Sequence, residues 1–167
     1  MDKLKELLDE GKLVELGQEI DKLNRSGRSR EVVDFINKTF EKFKGKAEQF
    51  LDLSPDDRLK MAFILAAKAT VVEGMKTTQI RKILSMSNGI YRGIKTKKLG
   101  DISSDVAKMR YVLAYTASRH KGRRDPITPI LEVSDKILRK LDEKSYEKFH
   151  EFLQAIVAYH VFLGGRD

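Results

Sequence analysis

The stretch "SPDDRLKMAFILAAKATVVEG" (residues 54–74) contains the longest uninterrupted apolar run of the chain, MAFILAA. Ser54 suits the N-cap of a helix and Pro55 its first position, and the two aspartates that follow favour the first turn. The segment MAFILAAKATVV is apolar nearly all round, which is typical of a helix covered on every side. The sequence therefore predicts a helix from about 55 to 74 at the centre of the hydrophobic core.

The rest of the chain, on both sides of this segment, also follows a helical pattern. Only three prolines occur, and the stretches between breakers repeat apolar residues at intervals of three and four rather than alternating. Glycines at 11 and 17 leave open whether the first amphipathic region is one helix or two. We therefore expect an all-α protein, a single-domain bundle of about five to seven helices over residues 1–167, with helices at about 2–26, 30–53, 55–74, 77–99, 105–120, 125 or 128–142, and 145–163.

Composition narrows the possible functions. The 167 residues are 41% hydrophobic and include no cysteine, which excludes disulfides, a thiol nucleophile and thiolate metal sites. No apolar run approaches the roughly 20 residues of a membrane span, and the amphipathic, charged N-terminus does not resemble a signal peptide. We expect a soluble, cytoplasmic protein without a membrane partner, a metal site or a cofactor.

The positive charge of the chain is concentrated in its middle third. Residues 1–73 carry 14 Lys and Arg against 15 Asp and Glu, and residues 125–167 carry 6 against 8. Residues 74–124 carry 13 against 2 and so hold the whole surplus. A local excess of this kind attracts polyanions, of which nucleic acid is the commonest.

One cationic stripe is predicted on the helix at 77–99. At about 100° per residue, its basic and polar residues fall within about 60° of each other and beside the apolar face, and the stripe spans about 21 Å. This length can follow several phosphates of a nucleic-acid backbone. The stripe consists of Arg81, Asn88, Arg92 and Lys95, whereas Lys82, Lys97 and Lys98 fall outside it.

A second basic surface is predicted on the helix at 105–120 and the turn that follows it. Lys108, Tyr111, Tyr115 and Arg119 share the face opposite the core residues, and "RHKGRR" adds Lys121, Arg123 and Arg124 around a glycine. Arginine offers planar donors to phosphate oxygens. A tyrosine between cations can stack on a base, although core or rim packing is the commoner role.

Catalytic signatures are missing. The chain has no HExxH spacing and no glycine-rich phosphate loop. His160 lies within an apolar stripe, which indicates a hydrogen-bonded core or interface histidine. A ribonuclease hypothesis rests only on His120 as a base toward a ribose hydroxyl, and no second acid or base is recognisable, so we expect a protein that is not an enzyme.

Three segments resemble one known family. "FHEFLQAIVAYHVFLGGRD" (149–167) resembles the C-terminal signature of the small helical subunit of type III-A CRISPR effector complexes, the Csm small subunit, with AIVAYH followed by two glycines. "TTQIRKILSMSNGIY" (77–91) resembles its "QIRKxLxxxNxIY" helix, and "MRYVLAYTASR" (109–119) its "LAYxxxR" helix. Ser118 stands where many relatives have a glycine.

The resemblance implies a non-catalytic helical bundle for antiviral defence. Copies of it would stack head to tail beside a filament of repeat-type backbone subunits that carries the guide RNA, and would line the groove for the target RNA. The implied partners are guide and target RNA, the backbone repeat subunit, the large subunit and further copies of the chain. The basic or polar positions in the matching blocks are Arg81, Lys82, Asn88, Arg92, Arg110 and Arg119.

Two functions from different classes remain after these steps. The first is sequence-independent binding of the RNA backbone by the region at about 74–124, since RNA-guided systems delegate sequence to base pairing. The second is a protein–protein assembly adaptor whose basic region docks on an acidic partner, with RNA contact only incidental.

Overall fold

The apolar stretch forms a helix, α4, over Pro55–Ala67. The Ser54 hydroxyl accepts a hydrogen bond from the backbone N–H of Asp57 at 3.1 Å, so the predicted N-cap is confirmed. Every residue from 61 to 67 is fully buried, against α3 and α8. The expectation of a central helix is therefore confirmed for this part of the segment.

Loss of this cap should cost a measurable amount of stability. Ser54→Ala leaves the Asp57 N–H without its acceptor, and we expect a loss of about 1 kcal/mol in the free energy of unfolding by urea denaturation. Ser29→Ala is the matched control, because Ser29 lies at the start of α3, where no side-chain cap is formed. We expect it to change stability by less than about 0.5 kcal/mol. Equal losses in the two variants would contradict the assigned cap.

Beyond Ala67 the chain widens into a π turn over Lys68–Val72 instead of continuing as an α-helix to 74. The Glu73 N–H donates to the Lys68 carbonyl five residues earlier, at 3.1 Å. Gly74 then ends the segment with a φ of +75°, which a side chain rarely adopts. The predicted extent of the helical segment is therefore right. The segment is an α-helix followed by a π turn, however, and the prediction of one regular α-helix is wrong.

The structure is a computed structural model that describes residues 2–97, 101–118 and 125–167. Within them the chain is helical without strands, so the all-α prediction is confirmed. The first predicted region is two helices, because Gly11 (φ +74°) turns the chain between them, and the described residues form eight α-helices. The elements are α1 (Asp2–Asp9), α2 (Leu13–Arg25), α3 (Ser29–Gly45), a 3₁₀ helix (Ala47–Asp52), α4, α5 (Thr77–Lys95), α6 (Ser103–Ala117), α7 (Thr128–Leu138) and α8 (Tyr146–Phe162).

The helices α5 to α8 position the basic region. α5 runs antiparallel to α8, since Thr77 at its start contacts His160 and Tyr91 near its end contacts Glu147. α6 packs against α5 and α7. All these helices share one hydrophobic core with α4. None of the helices described is both long enough and apolar enough to cross a bilayer.

Candidate nucleic-acid interface

The apolar and cationic sides of α5 separate as the sequence predicted. Ile80 and Ile83 are fully buried, whereas the basic residues of the helix stand in solvent. Asn88 is half-buried between them. The exposed cations are Arg81, Lys82, Arg92 and Lys95.

The cationic stripe runs along the flank of α5 that borders α8. Near its C-terminal end the Tyr91 hydroxyl donates to Glu147 at 3.0 Å, and the Lys95 Nζ lies 3.8 Å from the same carboxylate. At the N-terminal end Arg81 is close enough to His160 to influence its pKa. α8 therefore borders the stripe near both of its ends.

The N-terminus of α5 is fastened by a group of three side chains, Thr70, Thr77 and His160, which we call the His160 clasp. The Nδ1 of His160 is hydrogen-bonded to the Thr70 hydroxyl at 2.7 Å and the Nε2 to the Thr77 hydroxyl at 2.8 Å. The Thr77 N–H donates to the Arg166 carbonyl at 3.1 Å. The clasp thus joins the π turn, α5, α8 and the C-terminal segment.

The clasp confirms the prediction made for His160. His160 is 0% exposed, so the expected hydrogen-bonded core histidine is confirmed. Burial lowers its pKa below the ordinary value, and the positive charge of Arg81 lowers it further. α5 begins at Thr77 with Lys76 at its N-cap position, so the Thr77 hydroxyl serves the clasp, and the Gln79 side chain accepts a hydrogen bond from the Lys76 N–H.

A second buried polar group, absent from the sequence interpretation, holds the middle of α5. The Ser87 hydroxyl is hydrogen-bonded to the Tyr146 hydroxyl at 2.9 Å and to the Nδ1 of His150 at 2.8 Å. The ring of Tyr91 stacks on His150 with centroids 4.6 Å apart. Burial raises the pKa of Tyr146 to about 12 and lowers that of His150. These groups brace α5 against α8.

Two candidate RNA-binding cations have carboxylate partners from the C-terminal third of the chain. The Arg110 guanidinium donates to both oxygens of Asp135 in α7, at 2.8 and 3.5 Å, and this contact raises its pKa. Lys95 shares Glu147 with Tyr91 and also lies over the Tyr91 ring. A phosphate would have to compete for these two cations.

The other candidate RNA-binding cations among the described residues lack such competitors. No carboxylate oxygen among residues 2–97, 101–118 and 125–167 lies within 4 Å of the side-chain nitrogens of Arg81, Lys82, Arg92 or Lys108. On α6, Lys108 is exposed together with Tyr111 and Tyr115. The predicted residues Arg119, Lys121, Arg123 and Arg124, like His120, lie outside the described residues.

Fold and surface together define a small all-α protein with a braced helix that carries exposed cations along one flank. The family described as Csm2 Type III-A matches residues 52–166. A Streptococcus thermophilus protein described as "CRISPR system Cms protein Csm2" is 31% identical over 131 residues, which cover 77% of this chain and 97% of that protein. The chain belongs to the Csm2 family.

Membership in this family indicates a small, structural subunit of a type III-A CRISPR Csm complex, which contains other subunits. The family resemblance predicted from the sequence is therefore confirmed. The match to residues 52–166 begins just before α4 and covers α4 to α8, so it includes the His160 clasp and the whole basic region.

Proposed function

We propose that this chain is a non-catalytic positioning subunit that binds the phosphate backbone of guide and target RNA without reading sequence. The observation that carries the proposal is the pair Arg81 and Arg92, which are exposed on one flank of a single helix and have no carboxylate partner in the described residues. Eleven residues of helix separate them by about 17 Å, a span of several phosphates.

The bracing of α5 supports this role. Its start, middle and end are each tied to α8 by side-chain hydrogen bonds, through Thr77, Ser87 and Tyr91. The arginines therefore project from a fixed support, so less ordering entropy is lost when a strand is bound. Contacts of one copy are weak, and further copies along a filament with the backbone repeat and large subunits multiply them.

The described histidines support a role without catalysis. His150 and His160 are buried and hydrogen-bonded to other side chains, and burial lowers the pKa of each, so neither is free to take a proton from a substrate. The neighbouring acids Asp56 and Asp57 lie in the first turn of α4, where they stabilise the helix N-terminus.

Salt titration of RNA binding tests the proposal. Each phosphate neutralised on a single strand adds about 0.7 to the slope of log affinity against log salt. We expect Arg81→Gln/Arg92→Gln to lower the slope by about 1.4 and to weaken binding of unrelated RNA sequences about equally. Glutamine keeps helix propensity, so the circular dichroism spectrum should not change.

The matched control removes the same charge elsewhere. Arg30→Gln/Lys38→Gln takes two exposed cations from α3, outside the basic region, and should leave the slope unchanged. If both double variants change the slope equally, the effect is one of net charge and the stripe is not the binding site. A flat salt dependence of the unmodified protein would favour the assembly adaptor.

A further inference from the structure

The five tyrosines of the chain divide into two groups. Three take part in the fold: Tyr91 stacks on His150, Tyr146 is buried with its hydroxyl bonded to Ser87, and Tyr159 packs edge-on against Phe63. Tyr111 and Tyr115 are 62% and 68% exposed. Within the described residues these two have neither a ring contact nor a hydroxyl hydrogen bond. The fold itself therefore does not account for them.

The two exposed rings form one surface. Tyr111 and Tyr115 are four residues apart on α6, and side chains at this spacing lie on the same helix face about 6 Å apart. Lys108, three residues before Tyr111, is exposed on that face and has no carboxylate partner in the described part. The surface thus combines two flat aromatic groups with a cation, and we call it the α6 tyrosine face.

The charge around this face restricts what can cover it. Residues 74–124 contain only two carboxylates, and Asp101 is occupied as acceptor for the N–H and hydroxyl of Ser103. A partner that is anionic and offers flat rings to the tyrosines is therefore the best complement to this face. Unpaired nucleotides have both properties, since each base has a π face and each phosphate a charge.

We propose that the α6 tyrosine face binds unpaired RNA nucleotides by stacking of their bases on Tyr111 and Tyr115. This inference rests on the proposed RNA-binding function and extends it, because the stripe on α5 binds phosphates of any strand. Bases in a duplex are already stacked and paired, so the α6 tyrosine face adds a preference for unpaired RNA.

A tryptophan reporter tests the stacking directly. The chain has no tryptophan, so Tyr115→Trp introduces a single indole at the proposed site. A short oligouridine should quench its fluorescence, and the same strand annealed to oligoadenosine should not. Val14→Trp is the control, since Val14 is 55% exposed on α2 in the charge-balanced part of the chain. Quenching of equal size at both positions would overturn the proposal.

Affinity measurements separate stacking from charge. We expect Tyr111→Leu/Tyr115→Leu to weaken oligouridine binding roughly tenfold with the salt slope unchanged, because stacking is lost and no phosphate contact is removed. The Tyr111→Phe/Tyr115→Phe variant keeps both rings and should bind within about twofold of the unmodified protein. Duplex binding should be the same in all three proteins. Both variants change exposed side chains, so circular dichroism should show unchanged helicity.

The outcomes distinguish this inference from the function on which it rests. If the unmodified protein binds no RNA, both proposals are overturned. If it binds oligouridine with the expected salt slope and the leucine variant binds equally well, only the stacking proposal is overturned. If the leucine variant binds RNA with unchanged affinity but is no longer retained by the other Csm subunits, the stacking proposal is likewise overturned. The α6 tyrosine face is then assigned to a protein contact.

Discussion

Gly165→Ala is expected to lower the free energy of unfolding by about 2 to 3 kcal/mol, which is roughly a 30- to 140-fold change in the unfolding equilibrium. A Cβ at position 165 would collide with the imidazole of His160. The ring cannot move aside, because both of its nitrogens are hydrogen-bonded, to Thr70 and Thr77. The added methyl group must therefore break the His160 clasp or displace the C-terminal segment.

Gly17→Ala is the matched control for this prediction. A Cβ at Gly17 would collide with the ring of Phe162, but that side chain is 45% exposed at the end of α8 and can rotate away. Alanine also gains about 0.5 to 1 kcal/mol of helix propensity over glycine inside α2. We expect urea denaturation to show an unchanged or slightly higher stability. A loss as large as that of Gly165→Ala would mean that the rigidity of the clasp is not the cause.

Acidification is expected to destabilise the protein as the pH falls below about 6.5, the ordinary pKa of histidine. Burial lowers the pKa of His150 and of His160, so the unfolded chain binds more protons than the native chain in this range. Stability then rises with pH up to about 6.5 and is fully present above it. With two such groups, the free energy of unfolding should change by up to about 2.7 kcal/mol per pH unit.

Denaturation at a series of pH values between about 5 and 7.5 measures this dependence. His160→Gln removes one of the two titrating groups. The slope of the free energy of unfolding against pH should then fall by about half, even though the variant is less stable at every pH. Carboxylates whose pKa is lowered, such as Asp142, contribute only near and below their ordinary range around pH 4 and do not affect the comparison. A stability that stays constant or increases between pH 7 and 5 would contradict the prediction.

Local sequence signals accounted for the helices and for the faces that they bury. The Ser54–Pro55 start of α4 and the separation of Ile80 from Arg81 on α5 follow from capping and periodicity alone, and the structure agrees with both. The π turn and the 3₁₀ helix were not predicted, because their residues have the same apolar spacing as an α-helix and differ only in hydrogen bonding.

Side-chain hydrogen bonds between distant parts of the chain could not be predicted. Thr70 and Thr77 lie 90 and 83 residues from His160, and no short-range pattern connects them. The same holds for Asp135, which engages the candidate Arg110 from another helix. Periodicity placed Tyr111 opposite the core of α6, but whether another helix covers that face depends on the tertiary arrangement. The RNA-binding role of the candidate residues stays a prediction.

The π turn at Lys68–Val72 implies a specific expectation for relatives of this chain. It holds one residue more than an α-helical turn, so deletion of that residue would close the wide turn into an ordinary α-helical one and reposition the side chains inside it, Thr70 among them. Thr70 would then no longer point at the Nδ1 of His160. A homologue whose alignment shows a single-residue gap at this place must therefore supply a different hydrogen-bond partner for its histidine, and the two changes should be inherited together.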